Sequence, residues 1–320
     1  MAVIRLMRLP DAVRFSLSKS LLGNNWAETR ERLAQQGKQG PSTLELLRKG
    51  SRVQRENVSL VLEDGGRLVG LVSACRGPRS RLWEVDLLCL DAPDAQGCQE
   101  LLEAVVTSAG SRGGHRVVLR LPAESDLVPQ VCQVGFVPCV REMLYRSQAM
   151  PSYGRRGRSR LRDHPLAPPP SLPLRRRLPS DDPALFRLYC QALPSQVRLH
   201  QAWTLDQWRE SHEGPLGARE ELVWQVEGSA VAWVRLQSWG AQTMVELLLH
   251  PQWEEHCGSL VDHVVARKAD HRLSWLVAEH QVSLARRLEE RAFVHEGEYV
   301  LLVKPLTAPL RAKAVAPVVA

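Results

Sequence analysis

The sequence predicts an α/β (α+β) fold of two tandem domains, each a mixed twisted sheet flanked by helices. Three observations predict it: a length of 320 residues, which suits about two domains; a central segment rich in proline and arginine; and a second half that repeats the first in order. Hydrophobic residues make up 44% and charged residues 24%. These fractions are typical of a globular protein and exclude a fibre or a wholly disordered chain.

The proline-rich segment sets the expected boundaries: a first domain at 1–148, a linker at 149–173, a second domain at 174–305 and a low-complexity tail at 306–320. Six prolines between 150 and 173, without apolar periodicity, are typical of an extended, solvated tether.

The net charge of the whole chain is +7. The segment from 148 to 177 accounts for it, because it holds eight arginines against one aspartate, Asp163. We therefore expect the basicity to belong to the linker and not to the folded surfaces. The basic segment 155–177 is expected to be a solvated tether, and binding of a nucleic acid, only through this segment, is the alternative.

The repeat begins with Arg-Leu-Pro at 8–10 and at 177–179, followed by Asp11 and Asp181. Each copy lies between an opening strand and a helix, predicted at 13–22 and 183–193. Glycine turns between two strands follow, at 66–72 and 228–234.

The stronger matches come later in each half. Val-Asp-Leu-Leu at 85–88 pairs with Val-Glu-Leu-Leu at 245–248, an apolar strand that carries one acid. Both strands lead into amphipathic helices that contain Cys98 and Cys257, and then into His-Arg and a second apolar strand. A further helix, Gly135-Phe136 or Ala292-Phe293, and a final strand close each half. The ordered matches indicate a tandem duplication.

This element order resembles the GCN5-related N-acetyltransferase (GNAT) superfamily, in the hairpin, the acid-bearing strand that runs into a helix, and the Gly-Phe before the last strand. The resemblance implies an acyl-CoA-dependent N-acyltransferase that moves an acetyl group from acetyl-CoA to a small-molecule or peptide amine. One unit would be active and the other structural. A non-catalytic ligand-sensing or scaffolding module with decayed cofactor loops is the alternative.

The resemblance also implies a loop after the fourth strand whose backbone N–H groups bind the diphosphate of acyl-CoA at a helix N-terminus. Neither half has the full Gln/Arg-x-x-Gly-x-Gly/Ala pattern, and Glu254 and Glu255 in the second loop would repel phosphate. A relic loop before an ordinary helix is the alternative. The expected cofactor-binding residues are Gln96, Gly97 and Cys98 in the first half and Cys257, Gly258 and Ser259 in the second.

Members of this superfamily commonly deprotonate the amine with an acid on the fourth strand, which implies Glu84, Asp86 or Glu246 as the catalytic residue. Alternation places Glu84 and Asp86 on one face of their strand, with Val85 and Leu87 on the other. Solvated strand acids are the alternative. The tyrosine that usually protonates the leaving thiolate is missing from both helices that precede the final strands, which weighs against activity.

Seven of the nine tryptophans lie in the second half. Trp203 and Trp208 fall near the segment that covers the substrate cleft in GNAT proteins, and Trp224 and Trp233 fall on predicted strands. Aromatic walls suit a hydrophobic or cationic amine, although core packing explains the same residues. On this ground the second half is the favoured binding unit.

Other chemistries lack their patterns. His256, Cys257 and His263 have no evident fourth ligand, so no metal site is predicted. The seven cysteines are scattered without Cys-x-x-Cys, which favours a reducing cytoplasm. No apolar run is long enough to span a membrane, and charges interrupt the N-terminal apolar stretch, so neither a membrane segment nor a secretory signal is expected.

Overall fold

The structure is a computed structural model. It describes residues 2–18, 25–35, 41–51, 56–77, 80–91, 95–148, 172–201, 203–211 and 218–306. The predicted linker, apart from Leu172 and Pro173, lies outside these residues, as does the predicted tail apart from Leu306.

We call residues 2–148 unit 1 and residues 172–306 unit 2. The elements of unit 1 are β1 (Val3–Leu6), α1 (Leu9–Leu17), α2 (Arg30–Gln35), α3 (Thr43–Ser51), β2 (Asn57–Asp64), β3 (Arg67–Cys75), β4 (Leu82–Leu90), α4 (Ala95–Ser111), β5 (Arg116–Pro122), α5 (Leu127–Gln133) and β6 (Val137–Arg146).

Unit 2 has the same order. Its elements are β7 (Leu174–Arg176), α6 (Asp182–Ala192), α7 (Ser195–Gln201), α8 (Leu205–Ser211), β8 (Ala218–Val226), β9 (Ser229–Trp239), β10 (Gln242–Leu249), α9 (Cys257–Arg267), β11 (Arg272–Ala278), α10 (Val282–Glu289) and β12 (Val294–Pro305). A 3₁₀ turn precedes α6 at Pro179–Asp181 and another precedes α9 at Pro251–His256.

The twelve strands within the described residues form one mixed sheet in the order β1-β2-β3-β4-β5-β12-β6-β11-β10-β9-β8-β7. Only β4–β5 and β10–β11 are parallel pairs. When each strand is replaced by its counterpart in the other unit (β1 by β7, and so on to β6 by β12), the same order results, read from the opposite edge. The units are therefore related by a pseudo-twofold axis between β12 and β6. The predicted mixed sheet with flanking helices is confirmed.

The last strand of each unit lies in the sheet of the other unit. β12 is antiparallel to β5, from Tyr299↔Pro122 to Pro305↔Arg116, and antiparallel to β6 on its other edge. β6 in turn pairs with β11. Neither half of the sequence therefore closes its own sheet, because each needs the final strand of the other.

The duplicated start of each unit is held by the same ion pair. Arg5 binds both carboxylate oxygens of Asp11 at 2.6 and 2.8 Å, and Arg175 binds those of Asp181 at 2.8 and 2.7 Å. These hydrogen bonds lower the pKa of both aspartates. Each aspartate also accepts the backbone N–H three residues earlier, so the structural equivalent of Arg8 is Leu178. The predicted Arg-Leu-Pro match is one residue out of register.

Two short helices cross between the units on one face of the sheet. Leu33 and Ala34 of α2 pack on Met244 and Leu276 of unit 2, and Val197 of α7 packs on strand residues of unit 1. Buried Arg146 donates hydrogen bonds to the carbonyls of Leu33 and Ala34, at the end of α2. Since helix-end carbonyls lack partners within the helix, this arginine fixes where α2 ends.

Strand β4 does not alternate as predicted. Its register against β3 shifts between Ser73 and Ala74, which is a β-bulge, and one extra residue of β4 turns toward α1 and α3. Leu87 therefore packs with Phe15 of α1, whereas Val85 packs in the core beneath α4. The prediction that Val85 and Leu87 share a face was wrong.

The arginines of the predicted linker divide into two groups. Arg175–Arg176 form part of β7, and Arg177, directly after it, pairs with Asp182 and with Glu221 at 3.2 Å. The expectation that the basicity stands apart from the folded surfaces is thus wrong for these residues, because they belong to the sheet edge and carboxylates neutralise two of them. The arginines at 155–162 lie outside the described residues.

No helix in the described part of the chain is long and apolar enough to cross a membrane.

We predict that the two units cannot fold separately. Fragments 1–148 and 172–306 would each lack the strand that completes their sheet, and would expose an unpaired strand edge and apolar surface. Each fragment alone should unfold without a cooperative transition in urea, whereas a mixture should form a 1:1 complex with a sharp one.

The control is the full chain cut once by protease within 149–171, which should unfold in one sharp transition, like the mixed fragments, with a midpoint that rises with protein concentration. A sharp transition in either fragment alone would contradict the prediction.

Candidate functional site

A cavity of about 250 Å³ lies where the two units meet. It adjoins the point where β10 and β11 diverge, after their last register pair Val245↔Trp275. Its walls come from both units. The lining residues from unit 1 are Arg30, Leu82, Glu84, Val118, Arg120, Val140 and Glu142. Those from unit 2 are Tyr189, Leu193, Val197, Trp203, Trp233, Glu246, Leu247, Leu248, Leu276, Ala278, His280 and Gln281, together with Leu301 and Val303 of β12, which pairs with β5 and β6 of unit 1.

Two of the three carboxylates in the cavity are bound by guanidinium groups. Glu142 accepts hydrogen bonds from Arg120 Nε at 2.6 Å and Nη2 at 3.4 Å, and both side chains are buried. Glu246 lies 2.5 Å from Arg30 Nη1 through one oxygen and 3.3 Å from Arg235 Nη1 through the other. A residue of unit 1 thus holds the predicted catalytic acid of unit 2.

Glu84 differs from the other two carboxylates. Its nearest cation is Arg120 Nη1 at 3.9 Å, and no described residue donates a hydrogen bond to it. Its side chain is 37% exposed and borders the cavity. Burial raises the pKa of Glu84, although Arg120 and Arg30 act in the opposite direction. The structure therefore brings Glu84 and Glu246 together, with Glu84 as the carboxylate open to a ligand.

Asp86 lies away from the cavity, against α3. Its carboxylate pairs with Lys49, which also donates a hydrogen bond to Ser73 Oγ at 2.9 Å. Burial disfavours the charged form of Lys49 and is the largest single effect, but the charge and hydrogen bond of Asp86 act together with other neighbouring groups to raise the pKa of Lys49. Of the three predicted catalytic acids, Asp86 is thus the one that lies against helix α3, away from Glu84 and Glu246.

Aromatic side chains of unit 2 cover the cavity. Tyr189 of α6 stacks on Trp203, with ring centroids 6.0 Å apart and 12° between the planes. Burial raises the pKa of Tyr189. Trp233 of β9 completes this wall and donates a hydrogen bond to Glu221 at 3.3 Å. Trp208, by contrast, is fully buried in the core beneath α6 and α8.

Sequence reasoning missed His280 and Gln281, which follow β11 directly. His280 lines the cavity, and its Nδ1 is buried without a hydrogen-bond partner in the described structure. Burial lowers the pKa of His280, which favours the neutral ring. The gap that opens where two parallel strands stop pairing is called the fork. The Gln281 amide donates a hydrogen bond to the Leu247 carbonyl at 2.8 Å and so spans the fork between β10 and β11. The available signal was position, since polar residues at the carboxyl end of a parallel strand often face a binding crevice.

The corresponding fork in unit 1 is filled by the chain itself. β4 and β5 stop pairing after Glu84↔Val118, and residues 25–28 run into the gap. Trp26 N–H donates to the Leu88 carbonyl and Glu28 N–H to the Arg120 carbonyl, both at 2.9 Å. The Leu88 N–H donates to the side chain of Asn25 at 2.9 Å. The backbone groups of β4 and β5 to which a ligand inserted in this gap would bind are therefore already hydrogen-bonded to residues 25–28.

The predicted cofactor-binding residues mostly face inward. Cys98 and Cys257 are buried in the cores beneath α4 and α9, and burial raises the pKa of Cys257 to about 11. Gly97 and Gly258 are also buried, and Ser259 is half-buried. Gln96 donates a hydrogen bond to Glu100 on its own helix at 2.9 Å. The buried side chains of Cys98 and Cys257 could therefore not contact a cofactor, whereas the exposed Gln96 and the backbone of these turns could.

The two units differ in how well they fit an acyl-CoA diphosphate. In unit 2, α10 carries arginines toward the start of α9, and Arg291 donates to the Gly258 carbonyl at 3.1 Å. A side chain at Gly258 would come within 3.6 Å of Arg287. Ser283 binds the Glu254 carboxylate at 3.0 Å, which ties one of the repulsive acids to α10. Unit 1 has no cation on α5 and a filled fork, so unit 2 fits the group and unit 1 does not.

His256 of the second loop packs with aromatic rings. His256 lies edge-on to Trp224, with ring centroids 5.0 Å apart, and also contacts Trp253. Among the described residues, no three His, Cys, Asp or Glu side chains are grouped as a metal site would require.

We predict that Asp86 acts in stability. Asp86→Asn should lower the free energy of unfolding by about 3–5 kcal/mol, because it leaves the Lys49 charge buried without its partner. Urea unfolding measures the loss. The matched control is Asp91→Asn, which breaks an exposed pair with Arg67 and should cost about 1 kcal/mol or less. Equal losses in the two variants would contradict the role of burial.

We predict that Glu84 makes stability fall as pH rises. Below its ordinary pKa of 4.5 the group is protonated in both the folded and unfolded states. Above 4.5 the unfolded chain ionises first, so the folded state loses stability until the pH passes the raised pKa. The free energy of unfolding of wild type, minus that of Glu84→Gln, should decline across this window by at most about 1.4 kcal/mol per pH unit. A difference that is flat or rises with pH would refute the raised pKa.

No protein-family model matches the chain, and no curated protein matches it in sequence. Solved structures do match. One is a tandem GNAT protein from the clavulanic acid biosynthesis pathway, determined without AcCoA (12% identity, TM-score 0.50, covering 95% of this chain and 98% of that one). Another is a GCN5-related N-acetyltransferase from Sphaerobacter thermophilus (14% identity, TM-score 0.51, covering 95% of each chain). With the duplicated element order, these similarities show that the chain has the tandem GNAT fold.

Proposed function

We propose that the chain is an acyl-CoA-dependent N-acyltransferase in which unit 2 binds the acyl-CoA. Unit 1 has a structural role, and no acyl-CoA binds at its own fork. The difference between the two forks carries this proposal. Residues 25–28 fill the unit 1 fork with backbone hydrogen bonds. In unit 2 the matching acceptor, the Leu247 carbonyl, is bound by the Gln281 side chain, which a ligand could displace by rotation.

Charge around α9 supports unit 2 as the binding unit. Arg287 and Arg291 lie beside its first turn, where helix N–H groups also favour an anion. Arg287 also pairs with Glu290 and Arg291 with Asp262, so a bound diphosphate would share these cations with carboxylates of the chain. The residues that would hold the diphosphate are the backbone of 257–259 and Arg287.

The central cavity supports an amine as the acceptor. When bound, acyl-CoA supplies an activated acyl thioester. The chain supplies an apolar and aromatic chamber that excludes water, and carboxylates that favour a cationic group. Acetyl is the proposed acyl group because the fold is that of acetyltransferases.

A non-catalytic ligand-binding module is the second candidate. One observation favours it: Glu246 is bound through both oxygens by Arg30 and Arg235, which makes it a poor proton acceptor. The described part of α10 also carries no tyrosine. In this reading the cavity would bind a ligand without transferring a group.

None of the seven cysteines, all of which lie within the described residues, forms a disulfide, and several are buried. Free thiols persist in reducing compartments. On this ground we propose a cytoplasmic location.

The first test is isothermal titration of the full chain with acetyl-CoA and, separately, CoA. We expect one site per chain with a micromolar Kd, about −8 kcal/mol. Arg287→Glu should weaken binding at least tenfold, because it places a negative charge beside the diphosphate. Gln133→Glu on α5 makes a similar change in unit 1 and should leave the Kd unaltered.

Two sites per chain, or a loss of binding only in the Gln133 variant, would overturn the assignment to unit 2. No heat up to millimolar ligand would reject acyl-CoA as the donor. Binding without acetyl transfer to any amine in a broad panel would favour the second candidate.

A further inference from the structure

We propose that one end of the unit 1 sheet binds the phosphate backbone of a nucleic-acid duplex. The binding surface, called the arginine patch, comprises Arg76 and Arg81 between β3 and β4, and Arg112, His115 and Arg116 between the end of α4 and the start of β5. The inference goes beyond the proposed function, since neither acyl-CoA nor an acceptor amine takes part in it.

The two connections that form the arginine patch are fixed side by side. Strands β4 and β5 start as a parallel pair, with Leu82 opposite Arg116. Just before this pair, the Arg81 carbonyl accepts a hydrogen bond from the His115 N–H at 2.8 Å. Arg81 Nη1 also lies 3.2 Å from His115 Nε2. The basic side chains of both connections therefore belong to one surface.

Guanidinium groups are crowded in the arginine patch. Those of Arg76 and Arg112 lie 5.6 and 5.9 Å from the ring centre of the buried Trp83. Among the described residues, no carboxylate forms an ion pair with the side chain of Arg76 or Arg81. Glu210 of α8 binds the backbone N–H of Arg81, at 3.1 Å. Because like charges repel, an anion bound among these groups would stabilise the arrangement.

The matching end of unit 2 lacks such a patch. Its β9–β10 turn consists of Gly240 and Ala241, which carry no charge. In the connection from α9 to β11, Arg267 and Lys268 both pair with the carboxylate of Glu220. The fold of a unit therefore does not require unpaired arginines at this end, and their presence in unit 1 indicates a ligand.

The chemistry of the arginine patch indicates phosphate groups. A guanidinium group is planar and donates paired hydrogen bonds that match the geometry of phosphate. Neighbouring strands lie about 4.8 Å apart, so the cations from the end of β3 to the start of β5 are spread over about 10 Å. A single phosphate group is smaller than this distance, and a row of phosphates fits the patch better.

Two further observations favour a nucleic-acid duplex as the source of these phosphates. None of the large apolar side chains that are exposed in the described part of the chain belongs to the two connections, whereas a membrane-binding surface inserts such side chains. The ring of Trp83 is fully buried and cannot stack on unpaired bases, as the aromatic side chains of single-strand binders do. Contacts to the backbone remain, and these are independent of base sequence.

The test measures binding of a fluorescein-labelled DNA duplex to the full chain by fluorescence anisotropy. Arg76→Gln combined with Arg81→Gln should weaken binding at least tenfold at low salt. The slope of the logarithm of the association constant against the logarithm of the salt concentration should fall by about 1.8, since each phosphate contact contributes about 0.9. A purely structural role of the two arginines would not change this slope.

Matched variants separate the arginine patch from other basic residues. Arg14→Gln combined with Arg67→Gln removes the same charge at the opposite end of β3 and should bind like wild type. Arg76→Lys combined with Arg81→Lys keeps the charge and should keep the salt slope of wild type. Arg81→Gln alone changes an exposed side chain and should give about half of the change in slope. Thermal unfolding of each variant verifies that it is folded.

Equal affinity and equal salt slope in wild type and in Arg76→Gln with Arg81→Gln would overturn the inference, as would no binding by wild type at low salt. A loss confined to a variant with glutamine in place of the arginines at 155–162 would assign the binding to the linker instead. Equal competition by poly-L-glutamate would contradict the preference for phosphate, and tighter binding to phosphatidylglycerol vesicles would assign the patch to a membrane. Because no acyl-CoA is present, none of these results depends on the proposed function.

Discussion

The pairing of β12 between β5 and β6 is the constraint on which the rest of the structure depends. It places the forks of the two units, β4–β5 and β10–β11, on either side of the β12–β6 pair. It also brings side chains from β4, β5, β6 and β10 to one cavity. With each final strand in its own unit, Glu84 and Glu246 would belong to separate sites. The exchange turns two similar sites into one composite site.

Duplication has kept the order of elements but not the chemistry of the two halves. The start of each unit retains the same bidentate arginine–aspartate pair, because that pair fixes the entry into the first helix. The forks, which do not hold the fold together, have diverged. One is closed by its own backbone and the other by a single side chain. A protein with two copies of a site needs to keep only one in working order, and the second copy is then free to become framework.

Much of the fold could be predicted from the sequence, because the turn glycines, the apolar strands and the helical periodicity are local signals. The acids Glu84 and Glu246 were also found, as polar residues in apolar strands. The exchange of the final strands could not be predicted, because the side chains of a strand do not identify its neighbour when both possible partners have similar apolar patterns. Leu87 was assigned to the wrong face because a bulge adds one residue that alternation does not anticipate. The roles of Arg30 and His280 depend on contacts across the sheet, which the spacing of residues in the sequence does not reveal.

The place of β12 also bears on how the chain is made. Strand β5 ends at Pro122, yet its partner is among the last residues of the described chain. During synthesis unit 1 must wait with an open sheet until the C-terminal strand leaves the ribosome, because domains otherwise fold as units from the N-terminus. Such long-range pairing slows folding and leaves apolar edges exposed for longer. The same exchange that builds the shared cavity thus leaves an open sheet edge on the nascent chain until β12 has been synthesised.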